Sequence, residues 1–230
     1  RSLWLHRHKR LCLDTTRPTV SSFTSTTANC SYKSGESINI TANMSENILA
    51  GSKMTVTLNT TDLVTLTAGQ NGTALSGTYT ISAADVSSDL GVSSYSLTDD
   101  LGNTNSVIDE SGNAMSDLTL PSGQNLSDNA GLVIDNTALF TNTSVNISEN
   151  LTAGDTFALT FNEAVGNISD LNNVITEISD FGASGSKATT AWSNSNKTMT
   201  ITLGAGETFD TDFSLVFASI LDVAGNEATS

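Results

Sequence analysis

Leu132-Val133-Ile134-Asp135-Asn136-Thr137 and Leu11-Cys12-Leu13-Asp14-Thr15-Thr16 are two versions of one phrase. In each, a short apolar run closes on an aspartate and polar residues, and a new series of alternating segments follows. A strand-like run ending this way reads as the last strand of one module handing over to the first strand of the next. The chain therefore reads as a tandem repeat.

Further landmarks recur in the same order. Ser34-Gly35-Glu36-Ser37-Ile38-Asn39-Ile40-Thr41 is answered by Ala153-Gly154-Asp155-Thr156-Phe157-Ala158-Leu159-Thr160, each a turn feeding an alternating strand. Each strand then meets a short polar residue and a glutamate, Ser45-Glu46 and Asn162-Glu163. Near the far end comes D-x-x-G-N, as Asp109 to Asn113 and as Asp222 to Asn226, with an extra copy at Asp99 to Asn103. Residues 1–13 read as a basic leader or the remnant of a preceding module, 14–135 as a first domain and 136–230 as a second, truncated one. The chain reads as a piece of a longer protein.

Strand patterns fall at 19–27, where alternation is weak, and at 38–44, 53–58, 63–66, 75–81 and 92–97, with the clearest of the second module at 156–161, 173–178, 198–203 and 213–220. A single helical turn is expected over Ala83 to Leu90, and Trp192 is expected in the core before a hairpin turn. No helical periodicity of useful length occurs. Short strands about ten residues apart, separated by Gly, Asn, Asp and Ser, indicate antiparallel β-sandwiches.

The 230 residues carry 24 acidic and nine basic side chains, a formal net charge of -15. Arg1, Arg7, Lys9, Arg10 and Arg17 cluster at the start, so only Lys33, Lys53, Lys187 and Lys197 face the acids beyond residue 18. Such a body repels nucleic-acid phosphates and anionic lipid, and cations are its natural counterpart. No apolar run approaches the roughly 20 residues that span a bilayer, and the leader lacks the apolar stretch of a signal peptide. Cys12 and Cys30 would lie near opposite ends of an extended strand, too far apart for a disulfide.

In a sandwich of this order the acids of the landmarks meet at one pole. Asp14, Glu46 and Asp109 gather in the first module, and Asp135, Asn136, Glu163, Asp222 and Asn226 in the second. Oxygen-only sets with several carboxylates suit calcium, which takes six to eight such ligands; Glu36, Asp85 and Asp89 are candidates to complete the shell. The same residues also have a simpler role, because Asp, Gly and Asn are the ordinary residues of a tight turn. Catalysis is disfavoured. His6 and His8 are the only histidines and both lie in the leader, so no module offers an imidazole to activate a serine.

Asp14-Thr15-Thr16 followed by Pro18, then Gly-Glu/Asp, Ser-Glu, D-x-x-G-N and a final Ile134-Asp135, resembles the immunoglobulin-like repeats of large bacterial surface adhesins and biofilm-associated proteins. The resemblance covers residues 11 to 230; the second joint, Asp135-Asn136-Thr137-Ala138, lacks the proline. It implies two tandem immunoglobulin-like antiparallel β-sandwiches serving as stalk repeats outside the cell or on its surface, with joints stiffened by Ca2+. It also implies neighbouring repeats as partners within the chain and a host or matrix surface engaged by other domains. A glycan- or ligand-binding sandwich is the alternative.

Overall fold

The computed structural model describes residues 13–97, 106–139, 152–168, 188–204 and 220–228. They are almost entirely β, and every strand pair is antiparallel, consistent with an all-β sandwich. They fall into two compact units, one drawn from 13–29, 37–80 and 89–132, the other from 30–36, 81–88 and 133–228. Among the described residues no helix is long and apolar enough to cross a membrane.

The first unit is built on a six-stranded sheet ordered β1-β3-β6-β5-β4-β7. Its strands are β1 (Val20–Thr24), β3 (Ser37–Ile48), β4 (Lys53–Leu58), β5 (Leu63–Thr67), β6 (Gly72–Thr80) and β7 (Val92–Ser96). Alternation decides which side is dry: Ile38, Ile40, Ala42 and Met44 of β3 point inward, as do Met54, Val56 and Leu58 of β4. Phe23 is fully buried and meets Tyr95 edge-on, with ring centroids 5.7 Å apart. The Tyr95 hydroxyl donates to the Thr119 carbonyl at 2.8 Å, and burial, then the Asp117 charge, pushes its pKa up to about 12. A one-turn helix α1 (Leu126–Asn129) closes the unit. Its capping box has the Asn125 N–H donating to Asp128 Oδ2, and its Leu126 is fully buried.

β5 and β6 share only the pair Thr67 and Ser76, so the sheet departs from regular pairing there. Gly77 makes the close approach feasible: a Cβ on it would lie 2.5 Å from the Thr65 carbonyl oxygen and 2.8 Å from a Leu66 methyl.

In the second unit β2 (Cys30–Tyr32) pairs with β8 (Leu132–Ile134), and β10 (Val165–Ile168) pairs with β13 (Ile220–Asp222). A three-stranded sheet runs β11-β12-β9, from β11 (Ala188–Ser193), β12 (Thr198–Leu203) and β9 (Thr156–Thr160). Phe157, Leu159, Met199, Ile201 and Leu203 are its buried row. The hairpin between β11 and β12 turns through Asn194, Ser195 and Asn196, all at positive φ, a region that asparagine tolerates well and serine less so.

Three expectations need correction. Ala83 to Leu90 forms no helix: Ser82 and Asp85 close a tight turn, the Asp85 N–H donating to the Ser82 carbonyl at 3.1 Å and Asp85 Oδ2 accepting from the Ser82 N–H at 2.6 Å, after which Ser87 and Ile134 exchange backbone hydrogen bonds. Trp192 is only half-buried, against Phe161 at 6.2 Å. The β3 strand runs on to Ile48, which carries Glu46 within the ladder region and not in a loop after it. The expected strand at 173–178 and most of that at 213–220 lie outside the described residues, as does Cys12; Cys30 is exposed and free.

Replacing Gly77 by alanine should lower stability by about 1–3 kcal/mol, the ordinary cost of overpacking a fitted interior. The shift in the urea midpoint measures it, and an unchanged midpoint would contradict the close approach at Thr65.

Candidate metal centre

Each unit carries one group of three acids whose oxygens converge, Asp14, Glu46 and Asp109 in the first and Asp135, Glu163 and Asp222 in the second. In each, one carboxylate oxygen per residue lies within 4.8 Å of the other two. The inner acid is almost completely covered, Asp109 at 1% exposure and Asp222 at 3%.

Both groups are assembled by the same bonds. Asp109 and Asp222 open a D-x-x-G-N turn, closed by the Asp109 N–H to the Asn113 carbonyl and the Asp222 N–H to the Asn226 carbonyl, both at 3.1 Å. Gly112 and Gly225 hold φ of +90° and +86°, which only glycine adopts at little cost. The aspartate receives the turn: the N–H of Asn113 donates to Asp109 Oδ1 at 2.7 Å, and that of Asn226 to Asp222 Oδ1 at 2.8 Å. The asparagine side chain then does two things at once. Asn113 Nδ2 donates to Asp109 Oδ2 at 2.7 Å and to the Asp14 carbonyl at 3.1 Å. Asn226 Nδ2 does the same with Asp222 Oδ2 at 2.7 Å and the Asp135 carbonyl at 2.9 Å. Asp14 and Asp135 in turn accept from the N–H groups of Thr16 and Thr137, both at 2.9 Å. The glutamate comes from β3 in the first unit and from the bend between β9 and β10 in the second, where Ile48 bridges Asp109 and Val165 pairs with Asp222.

These bonds leave unused carboxylate lone pairs facing one another, and the titration behaviour follows. Loss of hydration on burial pulls Asp109 upward, but donors from Asn113, Ser111 and Gly112 outweigh it and hold the group below its usual range. Glu46 moves the other way, through desolvation and then the charges of Asp109 and Asp14. Glu163 is pushed up to about 7 by burial and by Asp135, with Asp222 adding to the repulsion. A proton or a cation relieves such a cluster, and oxygen is the only donor type either group offers.

The other candidates are placed differently. The Asn136 amide is spent elsewhere: Oδ1 accepts from the Ser34 N–H at 2.6 Å, and Nδ2 donates to the carbonyls of Ser82 and Asp85. Asn226 sits beside its cluster with its Nδ2 turned to Asp222 and Asp135, so it orients ligands through its amide hydrogens. Glu36 accepts from the Lys33 N–H and Asp85 from the Ser82 N–H, each in its own turn, and Asp89 belongs to neither three-acid group. Asp99 and Asp100 lie outside the described residues.

Two contributors escaped the sequence reading. Gly166 lies directly under the second turn: a Cβ there would stand 2.4 Å from the Asp222 carbonyl oxygen and 2.7 Å from the Val223 Cα. Asn113 makes the same bonds as Asn226, and alignment of the two D-x-x-G-N motifs was the signal that pairs them.

The raised Glu163 pKa fixes the sign of a pH effect. An acid whose folded pKa exceeds its unfolded value of about 4.3 stabilises the fold when protonated, and that stability is lost as pH rises through the folded value. Without divalent cations, thermal stability should therefore decline between about pH 4.5 and pH 7. Glu163→Gln should remove that part of the decline; melts in EDTA at stepped pH test it, and an identical slope in the variant would contradict the assignment. No protein-family model matches the chain and no curated protein is significantly similar to it, so the site speaks through its own geometry.

Proposed function

We propose that this chain consists of structural spacer repeats, tandem immunoglobulin-like sandwiches from the stalk of a secreted or surface-bound bacterial adhesin, each fastened by calcium at its three-carboxylate cluster. The observation that carries this reading is the duplication of the cluster together with its hydrogen bonds, from Thr16, Asp14, Asn113 and Asp109 to Thr137, Asp135, Asn226 and Asp222. A catalytic centre has no reason to be copied with every repeat of a fold. A fastening does, since each repeat has its own leading segment to secure.

Calcium suits the donors. Three carboxylates supply hard oxygen ligands and more than balance a divalent charge, while water and carbonyls fill a coordination shell that calcium accepts in irregular forms. Bound there, the ion ties the leading aspartate, the glutamate and the D-x-x-G-N turn of one repeat together, and so stiffens the joint that Asp14 or Asp135 opens. The role is mechanical: the ion neutralises repulsion and no substrate is turned over. A glycan-binding reading would rest on the half-buried Trp192 and Tyr32, since Phe157 and Phe161 are buried and cannot stack on a sugar.

Millimolar calcium should raise the melting temperature over that in EDTA, with about 2.7 kcal/mol of stabilisation from a site held at a hundred times its Kd. Asp109→Asn together with Asp222→Asn should abolish the response; each inner aspartate also accepts the donors of its own turn, so the metal-free variant should melt lower than the metal-free unaltered chain, and the calcium-dependent shift within each protein is the readout. Equal melting temperatures with and without calcium in the unaltered chain would overturn the proposal.

A further inference from the structure

The second unit is larger than the second repeat. It takes in Cys30–Glu36 and Ile81–Ser88, which by sequence belong to the first repeat. These two segments are tied to each other, the Gly35 N–H donating to the Ile81 carbonyl and the Ile81 N–H to the Glu36 carbonyl, both at 2.9 Å. The strand that leads into the second repeat is tied to both: the Asp135 N–H donates to the Tyr32 carbonyl at 2.9 Å, and Ser87 exchanges two backbone hydrogen bonds with Ile134.

Asn136 comes next, and its amide is used on every side. Oδ1 accepts from the Ser34 N–H at 2.6 Å, while Nδ2 donates to the Ser82 carbonyl at 3.0 Å and to the Asp85 carbonyl at 2.8 Å. An amide has one acceptor oxygen and two donor hydrogens, and here each meets a backbone group of Cys30–Glu36 or Ile81–Ser88. Lys33 makes a second tie from the same turn, its ammonium donating to the Gly225 carbonyl. Thr15 stands at the matching place in the first joint. A hydroxyl has a single hydrogen and cannot serve two carbonyls, so this arrangement is particular to the second joint.

We propose that Asn136 and Lys33 form a latch that fastens the start of the second repeat to these two segments without any cation. The second joint therefore stays closed when divalent ions are absent, and calcium adds to a hold already made. The second repeat borrows part of its own unit from the repeat before it.

Amide hydrogen exchange of the whole chain in EDTA, read residue by residue by NMR, tests the latch. In the unaltered chain the Ser34 and Ser87 amides should exchange slowly. Asn136→Ala should speed both by about tenfold or more, while the Phe161 amide, which donates to the Lys197 carbonyl at 2.8 Å, keeps its rate. Asn136→Asp retains the acceptor and loses both donors, so Ser34 should stay slow as Ser87 quickens. Lys33→Met should speed the Asn226 amide by about three- to tenfold, and it decides the matter if Asn136→Ala fails to fold. Unchanged Ser34 and Ser87 rates in Asn136→Ala, an unchanged Asn226 rate in Lys33→Met, or protection that arises only on adding calcium would overturn the latch. Because the rates are measured free of calcium, failure here leaves the cation reading standing, and a missing calcium response leaves the latch standing.

Discussion

Three carboxylates held within 4.8 Å of one another repel, and the fold holds them there twice. Left to itself, such a group would spread apart or take up protons. It stays assembled because the backbone over-determines it: the inner aspartate is pinned by the N–H groups of its own turn, and one asparagine amide ties that aspartate to the carbonyl of the leading one. The free energy that holds this arrangement comes from the sheets beneath. Ile38, Ile40 and Met44 anchor the strand that carries Glu46, and Phe157 and Leu159 anchor the one that leads to Glu163.

The leading aspartate is what gives the cluster a mechanical meaning. Asp14 is exposed and precedes the first strand of its unit, whereas Asp109 is buried at 1% exposure and belongs to the frame. An ion shared by the two would add its charge to a segment already held by the Asn113 amide, the turn at Asp14 and the Arg17 guanidinium on Ser116. The hydrogen bonds already present place the ligands, so cation binding would need little reordering, which is the condition under which a modest number of charged ligands suffices.

Much of this was legible in the sequence, and the reason is periodicity. Alternation in 53–58 and 198–203 gave β4 and β12 to the residue, because every second side chain of each is apolar and buried. The repeated phrases at Asp14 and Asp135, the glutamates and the D-x-x-G-N turns named the acids that converge, since a sandwich returns alternate loops to one end. What periodicity could not show was hydrogen-bond bookkeeping. Asn136 looked like a ligand beside Asp135, yet its amide is satisfied by Ser34, Ser82 and Asp85, partners over fifty residues away in sequence. Gly166 was equally silent, because a close backbone approach leaves no pattern in a single chain. The segment at 83–90 was misread for a similar reason: its helical promise is local, and the bridge from Ser87 to Ile134 that overrides it is not.

The most direct test of the account is a count of ions. After dialysis against calcium and removal of loose ions, native mass spectrometry of the intact chain should find two calcium ions per molecule, falling to one when either Asp109 or Asp222 is replaced by asparagine. A chain that retains none, or that retains the same number after both replacements, would contradict the claim that these clusters are cation fastenings.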